Sequence, residues 1–332
     1  MNFKKKDLKF MDIGRKKAQM QFNWIFSIVV GAVIIFLALF FASRSINMQQ
    51  YKYDSEIAEK LSVLLDPLES GMGSASIDVI KMPADTRISM KCKYEGIGRQ
   101  ELRIATKNSV GSEWQEFGAI QSIYNKYVFS RDLEEGKELY IFSKQFKMPF
   151  DVANLIYLTA GNYCFISPPD SLSYELKDLN ATNMKVTNRK QDCKKGSISV
   201  CFNNPSCDVV VNGLCYGYGC NSLYDYGYVQ QGNEKSYFLG DALLYGAIFS
   251  KPDFYNCTVK RLLNRISMLS KLYAEKTKLL DSRGCMTGEL SKKLIDLSYE
   301  ASGLIALSNI MPLNDKSIEV EYENEALICR AW

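Results

Sequence analysis

The 332-residue chain contains no histidine. That absence removes Ser-His-Asp and Cys-His nucleophilic catalysis, histidine-bearing zinc sites and the usual physiological pH switch. Carboxylate pairs, Ser-Lys dyads and cysteine chemistry are what remain. No cysteine precedes Cys92, and none of the ten stands in a C-x-x-C pair. The spacing Cys201-x5-Cys207-x7-Cys215-x4-Cys220 therefore lacks the knuckles of a zinc ribbon. Net charge is also scarce: 41 Lys and Arg oppose 37 Asp and Glu, a balance of +4. Seven of the cations lie within the first 21 residues. The remainder has no basic excess, which leaves nucleic-acid binding without electrostatic support.

A further absence organises the chain. Phe22 to Ser43, FNWIFSIVVGAVIIFLALFFAS, holds 22 residues and no charge. At about 1.5 Å of helix per residue it spans the ~30 Å hydrocarbon core of a bilayer. Before it stand Lys4, Lys5, Lys6, Lys9, Arg15, Lys16 and Lys17 against Asp7 and Asp12; just after it come only Arg44 and Lys52. The positive-inside rule then predicts a single-pass cell-membrane protein. Residues 1–21 form a basic cytoplasmic tail, 22–43 the transmembrane helix, and 44–332 lie outside. Membrane lipid is its first partner, with Trp24 at the inner interface. A cleaved secretory signal fits less well, because the apolar run exceeds an h-region and no A-x-A site follows.

All ten cysteines (Cys92, Cys164, Cys193, Cys201, Cys207, Cys215, Cys220, Cys257, Cys285 and Cys329) fall on the outer side, and the count is even. An oxidising compartment and a disulfide framework follow, with six of the thiols stapling residues 164–220. Two sequons, Asn180-Ala-Thr and Asn256-Cys-Thr, share that side.

The fold class reads as α+β. Over 44–75 the residues Ile57, Leu61, Leu64, Leu65 and Leu68 recur at helical spacing, giving a stalk that ends at Asp66-Pro67 and a Gly/Ser hinge at 70–76. Gly71-x-Gly73 lacks the third glycine of a nucleotide cradle, so no cofactor is implied. Residues 76–149 predict a β-rich domain with strands at 77–81, 87–93, 101–106, 124–130 and 138–146. Residues 150–232 predict a mixed α/β cysteine-rich region with strands at 154–160, 163–167, 184–187, 197–202 and 208–211. SLSYELKDLN supplies its helix, Asn212-Gly213 a hairpin turn, and the interleaved tyrosines and glycines of 214–232 a stapled loop. Residues 233–332 predict a helical region: an apolar helix at 235–250, then an antiparallel hairpin. Its stripes are Val259, Leu262, Ile266, Leu269, Tyr273 and Leu280, broken by Lys276, and Leu290, Leu294, Leu297, Ala301 and Leu304. Pro312 ends the second helix, and 317–322 reads as a late strand.

Arg15-Lys16-Lys17-Ala18-Gln19 stands directly before the apolar helix. This run resembles the class III signal peptide of archaeal type IV pilin-like proteins, in which a basic pair and a small residue precede a glutamine. The resemblance implies peptidase cleavage between Ala18 and Gln19, a mature chain that keeps its helix, and pilin-like partners. Asn23 stands where many such pilins carry glutamate. In overall plan the rest of the chain is similar to archaeal single-pass surface proteins.

The function these features predict is non-catalytic: recognition, attachment or assembly at the cell surface, including a minor pilin-like subunit. Two alternatives stand beside it. A carboxylate-dependent enzyme such as a glycosidase needs two carboxylates about 5–10 Å apart, and Glu134, Glu135, Asp241 and Asp253 carry no sequence signal that pairs them. Ser291 with Lys292 or Lys293 is no dyad, because adjacent helix positions do not face each other. The other alternative is an envelope scaffold using the hairpin as a partner surface.

Overall fold

The structure, a computed structural model, describes residues 13–69, 78–95, 98–107, 113–215, 222–304 and 306–332. The hinge expected at 70–76 and Cys220 lie outside the described residues. The chain divides into two units, Met1–Lys52 and Tyr53–Trp332.

In the first unit the element is helix α1 (Ile13–Leu64), which runs on into the second. It is long and apolar enough to cross a membrane, and none of its apolar window is buried. Ala18 and Gln19 fall in its first turns, where the side chains are not described.

The second unit is mixed α+β. Beyond Tyr53, α1, the short α2 (Asp66–Glu69) and the turn residue between them bury Ala58, Leu61, Leu65 and Leu68. Asp54, fully buried on the same face, accepts hydrogen bonds from the Thr106 amide and hydroxyl. The stripe is therefore rotated from the expected one, and Leu64 is exposed.

These residues lie on a six-stranded sheet built from β1 (Asp78–Lys93), β2 (Arg99–Thr106), β3 (Gln121–Ile123), β4 (Tyr127–Phe129), β5 (Leu133–Lys147) and β6 (Asp151–Thr159) in the order β3-β2-β1-β5-β6-β4. The gap between the strands expected at 77–81 and 87–93 is an irregularity within β1, whose pairing with β5 resumes at Thr86. β5 and β6, on either side of the boundary expected at 149/150, pair along most of their length. Both are buried on two faces over their central residues, which is why LYIF and LIYL are continuous apolar runs and not alternating ones. Ile141, Ile156 and Leu158 face α1, while Phe142, Leu155 and Tyr157 face the main core. The sheet curls until its edges approach. Gln100 of β2 bridges the gap, donating to the Val128 carbonyl at 2.6 Å and accepting from the Val128 amide at 3.0 Å.

The second sheet holds β7 (Tyr163–Ile166), β8 (Met184–Thr187), β9 (Ile198–Phe202), β10 (Val209–Gly213), β11 (Tyr226–Gln231) and β12 (Glu234–Leu239), ordered β12-β11-β10-β9-β7-β8. Helix α3 (Asp170–Asp178) crosses between the parallel strands β7 and β8. Asn212 and Gly213 are not a hairpin turn: they pair with Tyr228 and Gly227 inside the ladder. One face of this sheet, with Phe165, Val200, Val211 and Val229, joins the main core. On the other, Cys164, Ile166 and Cys201 are covered by Cys193 and Cys207, so disulfides stand where a helix layer would lie.

Between the sheets runs α4 (Gly240–Phe249), buried from Ala242 to Phe249 as an all-round apolar helix must be. The helix expected over 235–250 thus splits: 234–239 is strand β12, paired to the β-rich segment at 226–231. A Cβ on Gly246 would meet the Phe129 ring at 2.8 Å, so this crossing needs glycine. Helix α5 (Pro252–Ser282) starts with proline in its first turn, and α6 (Leu290–Gly303) lies along it, with Ser267 bonded to Ser298 and Ser291 to the Ala274 carbonyl. The close face of α5 is small (Ser270, Ala274, Thr277), not the leucine stripe alone. Pro312 does not end α6; it opens α7 (Met311–Glu325). That helix replaces the strand expected at 317–322, burying Leu313, Ser317, Val320 and Asn324 at helical spacing. Lys276 donates to the Ala331 carbonyl, which ties down the last residues.

Candidate functional site

The described cysteines are all in disulfides: Cys92–Cys257, Cys164–Cys193, Cys201–Cys207, Cys285–Cys329, with Cys215 also bonded. Asn180 is exposed in the turn after α3, at φ +48°, whereas Asn256 is inside α5 beside bonded Cys257, and the sequon's Thr258 is fully buried. The carboxylates weighed from sequence stand on three elements, with Glu134 and Glu135 adjacent on β5 and so turned to opposite faces. Glu135 pairs with Arg87 at 2.6 Å, Asp241 opens α4 and Asp253 opens α5. Glu134 is buried in β5, accepting from the Ala160 amide at 2.8 Å. Burial pushes its carboxyl above the ordinary range, against the pull of that amide. Lys144 sits between Glu175 at 2.7 Å and Asp241 at 3.5 Å, so each of these carboxylates has the same lysine as its ion-pair partner. Ser291 points to the Ala274 carbonyl and Lys293 to Glu319 and Glu323, so neither belongs to a dyad.

A different set converges where α5 crosses the seam of the first sheet. Thr258, Arg261 and Arg265 follow at helical spacing. Thr258 accepts from Gln100 at 3.2 Å, and Cys257 is bonded to Cys92 of β1, so this turn of α5 is clamped to the strands. Arg261 is 1% exposed. Its stem lies under Gly98, where a Cβ would come within 2.7 Å of Cγ. Its guanidinium lies over the Tyr127 ring at 4.9 Å, and its three nitrogens have no hydrogen-bond partner among the described residues. Burial lowers its proton affinity, partly offset by Tyr127. Arg265, half-buried, donates from Nε to the Val152 carbonyl at 2.7 Å and also approaches Tyr127. These groups, with Asn125, Met268 and Leu269, wall a cavity of about 230 Å³.

No family model, curated protein or solved structure matches this chain. The site therefore has to be read from its own chemistry. Reading by sequence missed Arg261, because RLLNR looks like an ordinary helix in which arginines face water. Its one signal is position: Arg261 falls on the same face as Phe254 and Thr258, which are buried.

Proposed function

We propose that this is a single-pass membrane protein with a cytoplasmic N-terminus, whose disulfide-stapled part beyond residue 44 works outside the cell in recognition, attachment or assembly. The observation that carries the reading is the apolar stretch of α1. Trp24, Ile28, Ile35, Phe36 and Phe41 are each more than half exposed, a surface that water does not tolerate and lipid does. The one-sided basic residues and the disulfides support the orientation. Arg15-Lys16-Lys17-Ala18-Gln19 supports a finer version, in which a prepilin-type peptidase removes the tail and the protein joins a pilin-like assembly. The helices α5 and α6 enter this reading as a packing hairpin, since their facing stripes are buried.

Protease added to intact cells tests the orientation: the outer part should be digested and the tail protected. Protection of residues 44–332 with loss of the tail would reverse the topology. Mass spectrometry of the native-membrane protein then reads the N-terminus. A start at Gln19 supports processing, and a start at Met1 or Asn2 leaves a plain anchor.

A further inference from the structure

An arginine stays charged in a protein interior. A buried cation with neither a carboxylate nor a hydrogen-bond acceptor is strongly unfavourable. Arg261 is in that position: no carboxylate pairs with it among the described residues, and its nitrogens have no partner. The disulfide at Cys257, Gly98 and the Tyr127 ring hold it there, so the position is built and not a surface accident. It forms part of the wall of a cavity whose other charged group is Arg265, with Nε already committed to Val152. The half-buried Arg265 guanidinium at the cavity, with the buried Arg261 charge against its wall, asks for an oxyanion, and a planar guanidinium matches a carboxylate through paired N–H donors. The rest of the wall is the Tyr127 ring, the hydrocarbon of Met268 and Leu269, and the side chains of Asn125 and Asn264. A pocket of about 150 Å³ suffices for benzene, so about 230 Å³ holds a ring-sized body with a carboxylate head.

We propose that this cavity binds a small organic acid, its carboxylate on Arg261 and Arg265 and its apolar body against Tyr127, Met268 and Leu269. The proposal is independent of membrane topology, because every residue in it belongs to the unit beginning at Tyr53. Asn125 and Met268, both exposed, mark the mouth. The bound carboxylate supplies the counter-charge that the fold does not.

Calorimetry with the full chain in nanodiscs tests this, using benzoate and hexanoate as probes and benzyl alcohol and inorganic phosphate as controls. The acids should bind saturably and the neutral alcohol should not. Arg261→Met keeps the volume and removes the charge; it should weaken benzoate by about 30-fold or more, the loss expected on truncating one partner of a buried charge pair. The same variant without ligand should melt at or above the wild-type temperature, because an uncompensated buried cation is gone. Leu269→Trp fills the cavity, leaves both arginines in place, and should also abolish benzoate binding. The proposal is overturned if neither acid binds at millimolar concentration, or if either variant still binds benzoate at wild-type affinity. Binding of phosphate but not of benzoate would likewise overturn the carboxylate assignment.

Discussion

Arg261 and Glu134 are both buried ions, and the surroundings treat them oppositely. The cation has no hydrogen-bond partner among the described residues, whereas the carboxylate accepts from the Ala160 amide. Even so, burial outweighs that bond, and the folded Glu134 holds its proton more tightly than the unfolded chain does. A folded pKa above the unfolded one gives stability that is present at low pH and lost as pH rises through the folded value. Glu134→Gln keeps an oxygen for Ala160 and cannot ionise. Its melting temperature should match wild type near pH 4 and exceed it increasingly as pH rises through the folded value, then by a constant amount. A gap that does not change with pH would mean that burial leaves this carboxyl's titration unaltered. Neither ion was legible in the sequence. Nothing in Glu134-Glu135 or RLLNR marks one side chain for burial, and only the sheet and helix registers decide which of them turns inward.

At the scale of elements, apolar pattern and turn chemistry read well where one local rule acts. The strand at 184–187, the helix after Pro169 and the apolar runs of β5 and β6 are all visible in the sequence. Reading failed where partners are distant. The stretch 235–250 has one apolar character but two fates, because its first part completes a ladder with β11 and only its second part fills the space between the sheets. Lys276 looks like a flaw in a leucine stripe, yet it holds the Ala331 carbonyl, and the fully buried positions of α5 around it are the small residues Ser270, Ala274 and Thr277. Small residues there let α6 approach, and a larger one has nowhere to go. Ala274→Leu should destabilise by about 1–3 kcal/mol through overpacking. Leu272→Ser, on the exposed side, should change stability by less than about 0.5 kcal/mol. Urea midpoints separate the two, and equal effects would place the interface elsewhere.

Over the whole molecule, the even count of cysteines announces a disulfide framework but not its reach. Cys164–Cys193 and Cys201–Cys207 are the local staples expected between 164 and 220, whereas Cys92–Cys257 joins β1 to α5 across a separation of 165 residues. In the chain-entropy picture a cross-link restrains the unfolded chain in proportion to the logarithm of the loop it closes. That gives about 5 kcal/mol for the long link and about 2 kcal/mol for the six-residue link of Cys201 to Cys207. The staples within the long loop shorten it, but a logarithm blunts their effect. The short crossover from β9 to β10 also has a second lock, since Asp208 accepts from the Ser199 hydroxyl at 2.6 Å and its amide at 2.8 Å. Replacing Cys92 and Cys257 together by alanine should therefore lower the denaturation midpoint well below that of the Cys201/Cys207 double variant. It should also loosen the clamp on the turn that carries Arg261. The reverse ranking would mean that the second sheet's outer face depends on its disulfides for packing, and that the seam of the first sheet is held by Gln100 and its apolar neighbours without the cross-link.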